Sequence, residues 1–283
     1  MKRHLLALAA ATLCLGAAPL SPTDIVAQAP AADWRTLDPG NLLLMRLAAG
    51  TVVIELAPDF APKTVANLKR LAHGHYFDGG WIVRSQDNYV VQWAQDGDKG
   101  KTEEKHPGYA EFEQPRRATF HPLPDADAYA SQAGFDGDFP AASDGAREWL
   151  VHCYGMVGAG RDTAPDSGSG IELYAVNGQA PRHLDRNITL LGRVVSGMEL
   201  LSSLPRGTGP LGFYDKPAER TRILSIGLAS ETPGALRLQL LRTDSASFRA
   251  YVEARRNRRD AWFAKPAGHV DVCNIPQPAR PAR

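Results

Sequence analysis

Several short motifs have side chains that can bind metals, attack carbonyls or hold phosphate, but their spacing suits none of these tasks. His73 and His75 lack acidic or cysteine partners at ligand spacing. The Asp-Gly-Asp motif at 136–138 lacks the third oxygen ligand and the closing Glu of a calcium loop. The Ser-Gly-Ser-Gly motif at 167–170 lacks the strand–Ser–helix frame of a nucleophile elbow. The glycines of segment 155–160 precede no Lys-Ser/Thr pair. We therefore predict neither a metal nor a cofactor.

The three cysteines do not form a redox motif, because no C-x-x-C is present. Cys14 lies in the apolar N-terminal stretch, and the bulky Leu13 before it fits a lipidation site poorly. Cys153 and Cys273 either form a disulfide or remain one buried thiol and one loop thiol. The sequence leaves both alternatives open.

Short strands are the elements that must position any site. Residues 42–47 and 51–56 are apolar runs split by Ala48-Ala49-Gly50, which predicts a β-hairpin. A helix is expected from Pro62 to about His73, with apolar residues at helical spacing and Gly74 at its end. Further strands are predicted at 81–83, 89–93, 149–153, 172–176, 188–194 and 222–228, and a short helix at 198–204.

Two segments depart from this pattern. Residues 96–148 carry many Pro, Asp and Gly residues and little periodicity, which predicts a long irregular loop. Near the end of the chain, Asp244 or Ser245 can cap a helix that runs to about Asn257, and residues 276–283 are expected to be frayed. The body, with many short strands and two helices, is expected to form a mainly β barrel or sandwich.

One order of motifs is specific. Gly50-Thr-Val-Val-Ile-Glu-Leu56 is followed by Ala61-Pro-Lys-Thr-Val-Ala-Asn-Leu68 and then by Tyr76-Phe-Asp-Gly79. This order resembles the cyclophilin family of peptidyl-prolyl isomerases, and the stretch 180–187 is similar to that of exported bacterial members. The likeness covers residues 42–228.

The resemblance implies a closed eight-stranded β-barrel capped by two helices, and the sequence itself adds a long inserted loop and a C-terminal helical extension. The expected organisation is a signal peptide at 1–29, a linker at 30–41, a cyclophilin-like domain at 42–232 and a basic extension at 233–283.

The resemblance also implies an active site. Arg84 matches the catalytic arginine of the family, and Gln92 matches the glutamine that helps to hold the substrate carbonyl. Val90 shares a strand face with Gln92. The other implied substrate-binding positions are Tyr89, Val90, Met156, Val157, Gly158, Glu172, Leu173, Tyr174, His183 and Leu184.

The chemistry of prolyl isomerisation suits these residue types. Rotation about an X–Pro bond destroys amide resonance, so the barrier is about 18–20 kcal/mol. Catalysis requires a site that binds the twisted amide better than either planar form, and it requires no nucleophile. A permanently charged Arg can donate to the prolyl nitrogen when its lone pair is restored.

Several positions depart from the family pattern. The Phe-His-Arg-Val segment is replaced by Ile82-Val83-Arg84-Ser85, and the pocket histidine by Ile188. A pocket Phe is replaced by Leu173, and the Trp of drug-sensitive members by His183. Glu172 replaces a Gln, so its charge can either orient Arg84 or compete with the substrate.

The N-terminus predicts export. Lys2, Arg3 and His4 precede an apolar run, and Ala27-Gln28-Ala29 offers a cleavage site, which is the pattern of a secretory signal peptide. The run is shorter than a membrane-spanning helix needs, so no membrane insertion is expected. In a bacterium with two membranes, the destination would be the periplasm.

The charge is uneven along the chain. The whole chain has a formal charge of +1, whereas residues 233–283 contain ten Lys or Arg and four Asp or Glu. The acidic main body argues against nucleic-acid binding. We expect the basic extension to dock on the acidic body; an anionic membrane surface or an acidic partner is the alternative.

Two functions are therefore open. The first is an active, monomeric isomerase that assists the folding of exported proteins and acts on proline-containing unfolded or extended polypeptides. The alternative is a cyclophilin-like peptide-binding module or chaperone with weak or no turnover. Arg84 and Gln92 favour the first, and the altered pocket favours the second. A hydrolase is not expected because no nucleophile–base pair is present.

Overall fold

The computed structural model describes residues 19–96, 108–260 and 262–282. The strands are β1 Trp34–Thr36, β2 Leu42–Leu47, β3 Gly50–Leu56, β4 Trp81–Ser85, β5 Tyr89–Ala94, β6 Gln114–Pro115, β7 Phe120–Pro122, β8 Gln132–Asp136, β9 Phe139–Ser143, β10 Arg147–Leu150, β11 Met156–Ala159, β12 Leu173–Asn177, β13 Leu190–Ser196, β14 Thr221–Leu228, β15 Leu238–Leu241 and β16 Ala279–Pro281. The α-helices are α1 Pro22–Gln28, α2 Pro62–His73, α3 Met198–Ser202 and α4 Ala246–Arg256.

Eight strands close into a barrel in the order β11-β12-β5-β4-β14-β2-β3-β13. The predicted closed eight-stranded barrel is therefore confirmed. Alternate residues point inward along each strand, and Leu43, Met45, Ile54 and Trp93 are fully buried in the barrel core. The hairpin predicted from residues 42–56 is the antiparallel pair β2–β3.

Helix α2 closes one side of the barrel core. Pro62 occupies its first turn, where no N–H is needed, and Val65, Leu68 and Leu71 are buried. Gly74 caps the helix as predicted. The backbone enters the left-handed region only at the next residue, His75, with a φ of 56°.

Residues 108–150 correct the prediction of an irregular loop. They contain a five-stranded sheet in the order β6-β10-β9-β8-β7, called here the inserted sheet. Its strands have two to five residues, and Pro115, Pro122 and Pro140 lie within them, so period-two patterning is not visible in the sequence. The segment 149–153, predicted as one of the body's strands, contributes to this sheet through β10 instead. Residues 97–107 of the predicted loop lie outside the described part of the chain.

The inserted sheet lies between the barrel and the C-terminal extension. Phe139 contacts Phe60 and the guanidinium of Arg193 from the barrel. From β8, Phe135 packs edge-on against Phe248 of α4, with ring centroids 5.0 Å apart. A single apolar core therefore joins the outer barrel face, the inserted sheet and the extension.

A third sheet joins the two ends of the chain. Its order is β1-β15-β16, so β1 from the predicted linker 30–41 pairs with β15 from the extension. Residues 279–281 form β16 on the other side of β15, which corrects the prediction of a frayed end.

The predicted C-terminal helix is confirmed as α4. Ser245 caps α4 by accepting a hydrogen bond from the backbone N–H of Phe248. Tyr251 and Val252 are buried on the same helix face as Phe248.

Residues 22–29 also belong to the fold. Helix α1 contacts α4, and Ile25 and Val26 pack against the core shared with the inserted sheet. The indole N–H of Trp34 donates to the carbonyl of Ala29, which is itself buried. Residues 22–29, which lie within the predicted signal peptide, are therefore packed against the rest of the protein in this structure.

A buried charge cluster connects the three sheets. Glu55 of β3 accepts hydrogen bonds from Arg193 of β13 and from Arg35 of β1. Arg35 also donates to Asp138, in the turn between β8 and β9, and Asp138 accepts from the backbone N–H of Thr243. Barrel, inserted sheet and extension thus meet at satisfied charges rather than at a flexible joint.

A disulfide and ion pairs bind the extension to the body. Cys153 and Cys273 form a disulfide, which decides between the alternatives that the sequence leaves open. Arg256 of α4 forms an ion pair with Asp125 at 2.9 Å. Arg242 and Arg258 instead pair with acidic residues of the extension itself. Buried apolar side chains of the extension, among them Phe248 and Val272, also pack on the body. In the described residues, no helix is long and apolar enough to cross a bilayer.

Candidate functional site

The predicted site residues meet on the outer face of the barrel. Arg84 of β4 pairs in register with Gln92 of β5, Gln92 pairs with Tyr174 of β12, and Tyr174 pairs with Gly158 of β11. Directly opposed residues on neighbouring strands have adjacent side chains. The four residues therefore form one row across four strands, although they come from three distant parts of the sequence.

Three hydrogen bonds fix the Arg84 guanidinium. Its Nη1 donates to the Gln92 side-chain oxygen at 3.0 Å, its Nε to the Leu211 carbonyl at 2.7 Å, and its Nη2 to the side-chain oxygen of Gln86. The rings of Tyr89 and Phe213 lie 5.3 and 5.1 Å from Cζ. All three acceptors are uncharged, and no carboxylate within the described residues forms an ion pair with Arg84. The positive charge is therefore not neutralised by a direct partner there.

Glu172 modifies this row through Gln92. The amide of the buried Gln92 donates to a Glu172 carboxylate oxygen, so Gln92 links Glu172 to Arg84. Partial burial lowers the pKa of Arg84, whereas the nearby Tyr89 and Glu172 act to raise it. Glu172 thus acts on Arg84 through the amide of Gln92. This arrangement fits the orientation of Arg84 better than direct competition with the substrate.

Tyr174 is held by a buried polar chain that the sequence did not reveal. Its hydroxyl lies 2.9 Å from Nε2 of His152, and Nδ1 of His152 lies 2.9 Å from Asp185. A carboxylate can only accept, so Nδ1 carries the imidazole proton and Nε2 accepts from Tyr174. Burial lowers the pKa of His152, which keeps the ring neutral. No local motif joins these residues, which come together only through the fold.

The ring of Tyr174 covers the outer face of Gly158. A Cβ at position 158 would overlap that ring, so β11 requires glycine opposite Tyr174. The floor of the candidate groove at this point is therefore the aromatic ring rather than an open strand backbone.

The rim of the site is formed by the segment around residues 180–184. The exposed ring of His183 stacks on Tyr89, with centroids 6.0 Å apart, and Leu184 is half-buried. Arg182 is buried beneath them and forms ion pairs with Asp185 and with Asp127 from the inserted sheet. The rim is therefore anchored to the inserted sheet as well as to the barrel.

Two predicted substrate-binding side chains point elsewhere. Val157 and Leu173 are fully buried in the barrel interior, and they face away from the row that contains Tyr174. Adjacent residues of a strand point to opposite faces, so a segment cannot contribute every side chain to one groove. Val90 and Met156 do face outward, and both lie in the core shared with the inserted sheet.

Other candidate sites do not converge on this row. A cleft of about 520 Å³ lies between the barrel and the extension beside the disulfide, and Met156 is the predicted site residue that also lines it. His73 pairs with Glu231, and His75 pairs with Asp78, so the two histidines do not face a common centre. In the described residues, no cluster of three His, Cys, Asp or Glu side chains is arranged as metal ligands.

Comparison with known proteins agrees with the barrel fold. The family model described as "Cyclophilin type peptidyl-prolyl cis-trans isomerase/CLD" matches residues 42–228. A Brucella suis protein named "Probable peptidyl-prolyl cis-trans isomerase" is 28% identical over 171 residues, which is 60% of this chain and 74% of that protein. A Brucella melitensis protein of the same name matches to the same extent.

A solved structure resembles more of the chain. The crystal structure of cyclophilin AquaCyp293 from Hirschia baltica has a TM-score of 0.69 and 25% sequence identity, over 88% of this chain and 93% of that one. This coverage extends beyond the segment that the family model matches, so the likeness includes parts of the flanking elements. The chain belongs to the cyclophilin-type peptidyl-prolyl cis-trans isomerase family, and its enzyme class is that of the peptidyl-prolyl cis-trans isomerases.

Proposed function

We propose that this protein accelerates cis–trans exchange of X–Pro bonds in extended segments of exported proteins, and that Arg84 stabilises the twisted amide. The observation that carries the proposal is the fixed guanidinium of Arg84, which is held by uncharged acceptors beside Gln92 on the outer barrel face. Its Nη groups each retain one N–H beyond the bonds to Gln92 and Gln86.

The mechanism follows from amide electronic structure. In the planar amide the nitrogen lone pair is delocalised, whereas in the twisted amide it is localised and accepts a hydrogen bond. A donor that is fixed before the reaction stabilises the twisted form more than the planar forms, and each 1.36 kcal/mol of this difference gives a tenfold increase in rate. Arg84 is the fixed donor in this proposal, and Gln92 positions both Arg84 and the substrate carbonyl.

The proposed setting is the periplasm, reached through the signal peptide at residues 1–29. The Cys153–Cys273 disulfide supports this setting, because disulfides persist in oxidising compartments. The proposed substrates are unfolded or extended proline-containing chains, bound by a monomer. Cleavage after Ala29 would remove α1, so mass spectrometry of the exported protein would show whether this helix is kept.

Exchange spectroscopy by NMR on short X–Pro peptides tests the isomerase proposal. Arg84→Ala should lower the catalysed rate by about 10²- to 10³-fold, the scale observed when a preorganised donor is removed. Arg84→Lys should retain only part of the activity, because an ammonium lacks the planar fork that makes these three bonds. Arg46→Ala is the matched control, since Arg46 is an exposed arginine on β2 of the same barrel.

A second function competes for the same site. Glu172 places a carboxylate next to the amide of Gln92, and little of the Tyr174 ring is exposed, so this part of the groove is more polar than an apolar proline pocket requires. These features favour a peptide-binding module with weak turnover. If the folded wild-type protein binds X–Pro peptides without accelerating their exchange, the isomerase proposal fails and the binding module is retained.

A further inference from the structure

The segment 205–214, called here the Arg84 loop, is built onto the strand that carries Arg84. The backbone N–H of Gly207 donates to the Ser85 carbonyl at 2.9 Å, and that of Tyr214 donates to the Val83 carbonyl at 3.0 Å. These bonds attach both ends of the loop to β4 on either side of Arg84. The Tyr214 hydroxyl also donates to the Pro205 carbonyl, which closes the loop on itself.

A glycine makes the close approach possible. Gly212 has a φ of 78°, and a Cβ at this position would lie 2.7 Å from the Cα of Gln86. The loop therefore packs against the same Gln86 that accepts a hydrogen bond from Arg84. Its position relative to the guanidinium is set by backbone contacts and not only by side chains.

The loop presents apolar side chains beside the guanidinium. Leu211 supplies the carbonyl that binds Nε of Arg84, yet its own side chain is 68% exposed. Phe213 is 38% exposed, and its ring lies against the guanidinium. Leu211 has a φ of 56°, a region that a leucine rarely adopts. An apolar residue is thus held in an unfavourable backbone conformation, exposed, at the edge of the site.

We propose that Leu211 and Phe213 form an apolar subsite for the side chain adjacent to the isomerised proline. This inference rests on the proposed isomerase function. Neighbouring residues of a peptide have Cα atoms 3.8 Å apart, so a proline held at Arg84 brings its neighbour to the loop. An apolar side chain that contacts the exposed Leu211 and Phe213 removes their apolar surface from water, which favours binding. These two residues offer no charge to a polar side chain. The subsite therefore selects peptides with an apolar residue next to proline.

The test uses Leu211→Asn, because asparagine tolerates the left-handed conformation and keeps the backbone carbonyl that binds Arg84. Two peptide series are compared, with Ser, Leu or Phe placed before the proline in one and after it in the other. The control is Leu236→Asn, which makes the same change at an exposed leucine of the extension. The readout is the ratio of catalysed exchange rates for Leu or Phe peptides over the Ser peptide.

We expect the wild-type protein to favour the apolar residue about 3- to 10-fold in at least one series. Leu211→Asn should bring that ratio close to one, and Leu236→Asn should leave it at the wild-type value. A wild-type ratio near one in both series, or an unchanged ratio in Leu211→Asn, overturns the subsite but leaves the isomerase function standing. Absence of turnover on every peptide overturns the proposed function, and the subsite with it.

Discussion

The row Arg84–Gln92–Tyr174–Gly158 shows how a site can depend on residues that have no chemical role of their own. Gly158 leaves room for the Tyr174 ring, and the neutral His152 accepts the hydrogen bond of its hydroxyl. His152 is buried and polar, and Gly158 has no room for a Cβ, so neither position tolerates substitution easily. The residues that would contact a peptide are therefore supported by others, and no motif in the sequence identifies His152.

Removal of one hydroxyl tests this support. Tyr174→Phe should lower the free energy of unfolding by about 1–2 kcal/mol at pH 7, because Nε2 of the buried His152 loses its partner. Tyr154→Phe is the control, since Tyr154 is half exposed. Urea denaturation measures both variants. Equal midpoints would mean that the Tyr174–His152 hydrogen bond contributes nothing net.

At this scale, local motifs predicted Arg84 and Gln92, and the structure places them side by side as expected. The alternation of side chains along a strand was not taken into account for two other positions. Val157 and Leu173 lie within predicted site segments, but their side chains point into the barrel. The contact between Arg84 and the Leu211 carbonyl spans 127 positions of sequence, and no periodicity or spacing encodes it.

Among the elements, the inserted sheet contains an unusual buried charge arrangement. Glu148 of β10 and Asp136 of β8 are completely buried, and both contact the guanidinium of Arg117. The pKa of Glu148 is raised to about 7, mainly because the carboxyl is buried and also because Asp136 lies next to it. Glu148 therefore binds its proton more tightly in the folded protein than in the unfolded chain.

This predicts a decrease in stability with rising pH. The unfolded chain releases the Glu148 proton near pH 4.5 and the folded protein near pH 7, so stability falls across that window. Glu148→Gln removes the titration, and it should exceed wild type by about 1–3 kcal/mol at pH 8 while differing little at pH 5.

The control for this prediction is Glu199→Gln, which changes an exposed glutamate and should leave the pH profile unaltered. Thermal unfolding from pH 5 to 8 provides the comparison. A constant difference between Glu148→Gln and wild type over this range would contradict the raised pKa.

Elements with clear periodicity were predicted well, and the inserted sheet was not. The hairpin, α2 and α4 have amphipathic or β-branched runs that read directly as structure. Strand β9 reads Phe-Pro-Ala-Ala-Ser and is buried along its whole length, because a layer lies on each of its faces. A strand covered on both faces has no alternation, and a proline within it disguises it further.

At the scale of the whole molecule, the disulfide joins Cys153, which follows the last strand of the inserted sheet, to Cys273 of the extension. The two cysteines are 120 positions apart in the sequence. Cys273→Ser should lower the free energy of unfolding by about 2–4 kcal/mol, since it releases a long closed loop in the unfolded chain. Calorimetry with and without reductant checks this. Wild type under reducing conditions should match the variant, and a reductant-sensitive variant would contradict the assignment.

The overall charge asymmetry of the sequence anticipated that the extension would lie on the body. It did not anticipate how, since Arg256 is paired with the body at Asp125 while Arg242 and Arg258 pair within the extension. Apolar residues of α4 and of the segment after it pack into the core shared with the body. Such long-range packing is not visible in composition, which is why the sequence showed neither β1 within the expected linker nor β16 in the segment expected to be frayed.

The three-stranded sheet has a consequence for the order of folding. Strand β1 near the start of the chain pairs with β15, and β15 pairs with β16 at residues 279–281. This sheet cannot be completed before residues 279–281 have emerged from the ribosome. The barrel strands can pair before this sheet forms, and until β15 takes its place the apolar outer faces of β2 and β3 are open to other proteins.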